Sequence, residues 1–401
     1  MQYIITNFVY GTGPYLRTTE LAIAINNEFD GRGKEKMGII VPWVYGEKQK
    51  RIMLEEFESY EEKNPGLILL DPMLGATLQK VFYGEKSYEE ALRIFVEQFD
   101  MLSKEEHEHL SRNFDVFDLQ GNKHTVRSAD IAFEINRAPR ICYNIAPAYS
   151  VTFGYVSEIL QSVLDVPQET VALDRALVKQ AIAIAEKIEA SHVFHALAHP
   201  GTFSFKKDRM PRFSDEILIP PTIANILPNI GKITEGVYPV KNSVQTETSE
   251  ISNGIYVTIT GIPGLERLYE ETRKLGLKLY SNDTKAIPGS EYLSPHYISN
   301  QNIKLQFARS GWGSVWLSQL SGTPFVAPNF DPKDDPEIYF NNKCIEKLGL
   351  GVIYRGQSLA EIIREAEKLK ARIQNFNHKL LEQFGTLNGN EYAAKKIVEN
   401  V

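Results

Sequence analysis

The chain is predicted to be an α/β protein of two domains, each a parallel sheet wound on both faces by helices. Three observations carry this expectation. Short apolar runs alternate with helix-period segments in both halves, as crossover helices between parallel strands require. The 401 residues are enough for two such cores. Between Pro228 and Asn253 the composition turns polar, with KNSVQTETSEISNG lacking any apolar periodicity. The expected division is a first domain over 1–235, a second over 236–385, and a terminal helix over 386–401 that packs back on the first.

Gln2 to Tyr10 reads as a buried strand, followed by the turn Gly11-Thr12-Gly13-Pro14 and a helix with Leu21, Ile25 and Phe29 four residues apart. Gly38–Val41 and Leu67–Leu70 read as further strands, with a helix over about 50–62 between them. Residues 86–112 suggest two charged helices, and 114–126 a hairpin turning at Gly121-Asn122. Ile131–Ile135 and Ile141–Ile145 have strand character. Helices are expected near 152–163 and over 169–190, and a strand over 216–219. In the second half the pattern repeats: strand 255–260, the turn Gly261 to Gly264, a helix from Leu265 to Leu275, strand 277–280, and a loop over 282–300. Helices over 359–376 and 390–401 finish the chain.

Composition narrows the function class. Apolar residues make up 43% and charged residues 24%, as in ordinary globular proteins. The net charge of -7, without a dense Lys/Arg block, disfavours a nucleic-acid polymer as partner but leaves room for a small anion in a focused pocket. Cys142 and Cys344 are far apart and neither has metal-ligand spacing, so a reducing cytoplasm is the expected location. The start reads as a strand rather than a secretion signal, and no apolar run is long enough to span a bilayer. His192, His195 and His199 form the one histidine cluster. His195 and His199 would share a face on a helix, yet no glutamate follows the first and Pro200 follows the last, so no metal is expected.

The most informative stretch is Ile303 to Tyr354. A strand ends at Ala308, a turn of small residues follows (Arg309, Ser310, Gly311, Trp312, Gly313, Ser314), and a short helix runs to Gly322 before the next strand, Pro324–Pro328. Glycines in such a turn let backbone amides approach a bound group, and the helix start favours an anion there. A diphosphate suits that geometry. Trp312 and Trp316 read as packing, although Trp312 is also placed to lie under a sugar or base.

The order RSGWGS, GTPFVAP, an acidic loop (Asp331, Asp334, Asp335, Glu337) and then Asn341-Asn342-Lys343 resembles the donor half of the two-domain, GT-B fold glycosyltransferases. These include the UDP-glycosyltransferases and the N-acetylglucosaminyltransferase of the cell-wall lipid precursor. The resemblance is specific over about 255–360. It implies two facing Rossmann-like domains and inverting, metal-independent transfer from a nucleotide-diphosphate sugar, a UDP-sugar in the first instance, to an acceptor hydroxyl on a small molecule, glycan or protein. No cofactor beyond that substrate is implied. It also implies donor contacts from the 309–314 turn, from Asp335 and from Asn341; Gly13, Gly261 and Gly264 in the other glycine turns are further donor candidates.

The departures are as informative. The family carboxylate that holds the ribose falls on Leu317, so either a neighbour such as Gln319 or Glu337 substitutes, the sugar nucleotide sits differently, or nucleotide binding has been lost. The family histidine after the first glycine loop falls on Tyr15, a poor base near neutral pH. Asp71, at a strand end, is then the preferred general base, with Glu134 and His195 as the other catalytic candidates; the bland role for Asp71 is to cap the segment after Pro72. Two rivals stand beside the transferase: a non-catalytic GT-B-like subunit that regulates or stabilises an active enzyme in a homo- or hetero-oligomer, and a sugar-nucleotide epimerase or hydrolase.

Overall fold

The computed structural model describes residues 1–84, 86–223, 251–258 and 265–401. The expected boundary region therefore lies almost wholly outside the described residues, as do Gly261 and Gly264. Among the described residues there are two sheets, one in each half of the chain.

β1 (Tyr3–Phe8) is the central strand of the first sheet, and five of its six residues are buried because helices cover both faces. α1 (Thr12–Gly31), β2 (Gly38–Pro42), α2 (Gly46–Glu61), β3 (Ile68–Asp71) and α3 (Pro72–Val81) follow, the strands pairing in parallel. α4 (Tyr88–Leu110) is one helix where two were expected. The Ser87 hydroxyl caps it, and Leu92, Phe95, Phe99 and Leu102 form an unbroken buried stripe that no turn interrupts. β4 (Phe114–Asp118) and β5 (Lys123–Val126) make the hairpin, antiparallel at the sheet edge.

β6 (Ile131–Arg137) pairs with β1 and with β7 (Ala148–Thr152). The expected strand at Ile141–Ile145 is instead a connecting segment. Ala138 (φ 49°) and Asn144 (φ 52°) take left-handed backbone, which an extended strand does not accommodate. α5 (Val156–Leu164), α6 (Arg175–Ala190), β8 (Phe194–Ala198) and β9 (Ile217–Ile219) complete the nine-stranded order β5-β4-β3-β2-β1-β6-β7-β8-β9. α6 starts later than the periodicity suggested because the Asp174 carboxylate accepts from the Ala176 and Leu177 amides and fixes the first turn there.

The second sheet is parallel throughout, in the order β12-β11-β10-β13-β14-β15. Its elements are β10 (Gly254–Val257), α7 (Leu265–Lys274), β11 (Lys278–Ser281), the short β12 (Glu291–Tyr292) inside the expected loop, β13 (Ile303–Phe307), α8 (Trp312–Ser321), β14 (Phe325–Pro328), α9 (Pro336–Leu348) and β15 (Gly351–Tyr354). Gly322, at φ 70°, ends α8 in a left-handed cap whose amide reaches Gln319 and Ser318 carbonyls. α10 (Leu359–Phe384) opens on a Ser358–Glu361 capping box.

α11 (Gly389–Val398) packs on α1 of the first half. The Gly389 amide donates to the Pro221 carbonyl at 3.0 Å. A Cβ at 389 would lie 2.1 Å from the Pro220 oxygen, so only glycine permits this approach. Asn390 then donates to the buried Glu20 carboxylate at 3.4 Å.

Burial pushes the Glu20 carboxyl up to about 7 against the opposing Arg17. It pushes Glu106, on α4, to about 7 as well, against a Thr77 hydroxyl on the neighbouring α3. A carboxyl raised on folding keeps a proton that the unfolded chain has lost, so stability falls as pH rises from the unfolded to the folded value. Urea unfolding should show stability declining between about pH 5 and pH 8, and Glu106→Gln should recover roughly 1–3 kcal/mol at the upper end and almost nothing at the lower. Identical curves for the two proteins at about pH 8 would remove Glu106 from this account.

Candidate functional site

The chain leaves the carboxyl edge of the second sheet at Phe307 and enters α8 at Trp312. Gly311 is the N-cap, in extended conformation and without a capping side chain. Ser314 and Val315 amides turn back to the Gly311 carbonyl. No described protein group accepts from the Trp312 and Gly313 amides, which are the ordinary orphan donors of a helix start. A Cβ built at Gly311 or at Gly313 would meet nothing within 4 Å, so this side of the turn borders open space. Ser310 and Trp312 alternate with the glycines and point inward, both buried. Amides and helix dipole together make the outward side attractive to an anion.

The inward side explains why the turn holds its shape. Asn341, fully buried on α9, donates through Nδ2 to the Ser310 carbonyl at 2.8 Å and accepts through Oδ1 from Trp312 Nε1 at 2.9 Å. The first half of the chain closes over the same region. Trp312 Nε1 also lies 3.1 Å from Thr202 Oγ1, and Trp316 Nε1 donates to the Pro200 carbonyl at 2.9 Å. The Phe203 and Phe340 rings meet at 5.2 Å. Each buried indole N–H thus has an acceptor, as a desolvated donor must. Asn341 serves the turn from behind, with both of its amide atoms engaged by the protein.

A charged cluster spans the two halves beside this turn. Arg309 pairs with Asp334 at 2.5 Å, and its guanidinium stands 5.8 Å from the Tyr83 ring centre. Burial opposes the charge on Arg309, but Tyr83, Asp334 and Asp335 together hold it above its usual range. Asp335 accepts the Tyr83 hydroxyl at 2.9 Å with one oxygen and caps α9 through the Glu337 amide at 3.0 Å with the other. Arg140 donates to the Tyr88 hydroxyl at 3.3 Å. Of the two residues expected to meet the donor, Asp335 has both oxygens engaged, whereas Arg309 pairs with Asp334 but keeps a buried Nε without an acceptor among the described residues. Glu337 is half-buried in the cleft; its Oε1 accepts from Asn341 Nδ2 at 2.9 Å, which leaves Oε2. Burial first, then Asp335, pushes it up to about 8, while Asn341, Arg309 and Arg140 oppose the shift.

The catalytic candidates are each committed elsewhere. Asp71 is fully buried; it accepts the Met73 and Leu74 amides with one oxygen and meets His109 Nε2 at 2.9 Å with the other. It is the cap of α3, and each of its oxygens already has a protein partner. Glu134 accepts the Ile145 and Ala146 amides and so fastens the β6–β7 connection. His195, inside β8, is stacked 3.8 Å from Phe213, with Nδ1 on Asp215 and Nε2 on the Glu189 carbonyl. Because β8 is a strand, His195 and His199 do not share a helix face. Tyr15 is buried beside Phe8 and Tyr45, and burial raises its phenol far above its ordinary value. Leu317 points into the core, and Gln319 is buried, donating through Nε2 to Asn377 Oδ1 of α10 at 3.0 Å while its Oε1 meets no hydrogen-bond partner among the described residues.

In the first half, Gly13 likewise has nothing within 4 Å of a built Cβ, and the Gly11 amide donates to the Tyr45 hydroxyl at 2.8 Å. α1 and α8 are in contact. The residues that sequence reading missed are Tyr83, Tyr88, Arg140 and Thr202. Tyr83 meets Asp335 across 252 residues of chain, and nothing local signals such a pairing.

No protein-family model matches the chain, and no curated protein matches it by sequence. Solved structures do match in three dimensions. TcCGT1 in complex with UDP aligns at a TM-score of 0.62 and 12% identity, over 100% of both chains. LpCGTa in complex with UDP aligns at 0.57 and 15%, over 100% of this chain and 99% of the other. Phytolacca americana UGT2, complexed with UDP-2fluoro-glucose and pterostilbene, aligns at 0.57 and 11% with the same coverage. Agreement along the whole length at such low identity is agreement of fold: the chain is built as a GT-B protein, two Rossmann-like halves facing each other.

Proposed function

We propose that the chain is a glycosyltransferase that binds a UDP-sugar at the start of α8 and passes the sugar to an acceptor hydroxyl. The observation that carries this reading is the open, uncapped turn Gly311–Ser314, where the Trp312 and Gly313 amides have no acceptor among the described residues and suit a diphosphate. Two structurally similar proteins hold UDP, which supports uridine as the nucleoside. The helix start supplies the positive potential that the leaving diphosphate needs, so the reading calls on no metal ion. With the leaving group held there, direct attack by an acceptor from the opposite face would invert the anomeric centre. Glu337, half-buried and beside the turn, is the group we assign to the donor sugar.

A second reading is favoured by one specific observation. Tyr15 is buried where the resemblance implies a histidine, and Asp71, Glu134 and His195 are all occupied. That is the arrangement expected of a GT-B-like subunit that keeps the fold and supports an active partner. Calorimetry with UDP and UDP-glucose, followed by chromatography of reactions with an acceptor panel, separates the two. Binding with transfer supports the enzyme; binding without turnover supports the partner; no affinity for either nucleotide removes the α8 site from both.

Gly311→Asp tests the turn itself. Its φ of -68° and the open space around it accept a side chain, so the unfolding midpoint should not move. A carboxylate there should weaken UDP roughly 10- to 100-fold. Unchanged affinity would take the turn out of the site.

Glu337→Gln tests the sugar assignment through pH. Below about 8 the native carboxyl holds its proton and glutamine imitates it; above, ionisation gives the native protein the stronger acceptor. UDP-glucose affinity of the variant should match the native protein at about pH 6.5 and fall roughly 10-fold behind it at about pH 9. A ratio that does not change with pH would separate Glu337 from the sugar.

A further inference from the structure

The first half of the chain carries a groove that the proposed donor site does not use. The connection from β6 to β7 contains no helix among its ten intervening residues, 138–147. α4 and α6 pack together instead, and between them and residues 142–144 a groove of about 390 Å³ remains. That is within the range of small-molecule sites. The cavities beside Tyr155 and Tyr88 hold about 10 Å³ each, room for one water.

Three separate elements bring polar groups to this groove. α4 contributes Ser103, Lys104 and His107; the end of α6 contributes Lys187 and Ser191; the connection contributes Asn144. Several are already oriented. The His107 Nδ1–H donates to the Tyr143 carbonyl at 3.1 Å, which fixes the orientation of the ring and leaves Nε2 free of that bond. Ser103 Oγ accepts the Cys142 amide at 3.2 Å, leaving its own proton to donate. Asn144 stands at the lip, its exposed side chain set by a left-handed backbone.

The charge balance selects the ligand. Lys104 and Lys187 flank the groove from opposite walls. Each is in a loose, solvated ion pair, Lys104 with Glu108 at 3.8 Å and Lys187 with Asp100 at 3.5 Å, all four side chains at least half exposed, and Lys187 Nζ lies 5.4 Å from the Phe99 ring centre. Such contacts contribute little and can be exchanged for a better anion. Of the two acids only Asp100 lines the groove, and an anion that draws in both ammonium groups takes the place of these loose pairs.

We propose that this groove is a second ligand site, one for a phosphomonoester carried on a small polar body. Lys104 and Lys187 hold the phosphate from two sides, and Ser103, His107 and Asn144 meet the hydroxyls. The same chemistry is offered by a free sugar phosphate and by a phospholipid head group.

Titration calorimetry of the full chain with glucose 6-phosphate, and co-sedimentation with phosphatidylcholine vesicles containing phosphatidate, test it together. The expected result is saturable binding in at least one arm, weakened about 10-fold or more by Lys104→Ala with Lys187→Ala. Lys104→Arg with Lys187→Arg should retain it within a few-fold. Binding of glucose 6-phosphate assigns the free ligand; binding of vesicles alone assigns the head group. Both lysines are exposed, so the unfolding midpoint and the UDP affinity of the alanine pair should stay at native values, which keeps this site separate from the one at α8. Absence of binding in both arms, or binding that survives the alanine pair, overturns the proposal.

Discussion

The hydrogen bonds of Asn341 are the constraint from which the rest of the cleft follows. A glycine-rich helix start is soft, and two glycines with open space beside them do not define one backbone conformation. Asn341 defines it from behind by accepting from the Trp312 indole and donating to the Ser310 carbonyl. Each such bond contributes only about 1 kcal/mol net, but leaving either buried partner unpaired would cost about 1–3 kcal/mol, so alternatives to this arrangement are strongly penalised. The inward side of the turn is thereby saturated and the outward side keeps its amides.

The same indole ties the two halves of the molecule. Trp312 and Trp316 lie four residues apart on α8, hence on one face, and both direct their N–H groups to the segment after β8. An interface built on two desolvated indoles has a defined register, because sliding would strand both donors. Beside it the Arg309–Asp334 pair is about one-third exposed and so contributes little to stability. Its effect is on charge placement: it neutralises Arg309 locally and leaves Glu337 among acids and arginines, with its proton retained to near-neutral pH.

The cleft therefore differs chemically from what its sequence motifs suggest. A cation near a phosphate turn and an aspartate in an acidic loop look like donor ligands until their partners are known. Here Asp335 is saturated by Tyr83 and the Glu337 amide and Arg309 is paired with Asp334, so the capacity left in the cleft lies with main-chain amides, one Glu337 oxygen and the Arg309 Nε. Polar atoms in a buried cleft are either functional or structural according to whether their hydrogen bonds are already made.

The sequence by itself determined the class and most of the elements. Alternating apolar segments specified parallel sheets, and Gly322 marked the end of α8 through local backbone chemistry that needs no tertiary partner. The RSGWGS turn was legible for the same reason, since a helix start with glycines is attractive to an anion wherever it occurs. It failed where long-range contacts override local pattern. Ile141–Ile145 has strand composition but carries left-handed residues at its borders, and 86–112 looked divided although one buried stripe runs through it. Only the tertiary structure decided that Asp71 is a cap bound to His109, that His195 is a stacked core residue, and that Asn341 faces inward. The physical reason is one of accounting for hydrogen bonds: whether a carboxylate or imidazole is available for chemistry depends on partners tens to hundreds of residues away, and no local window contains them.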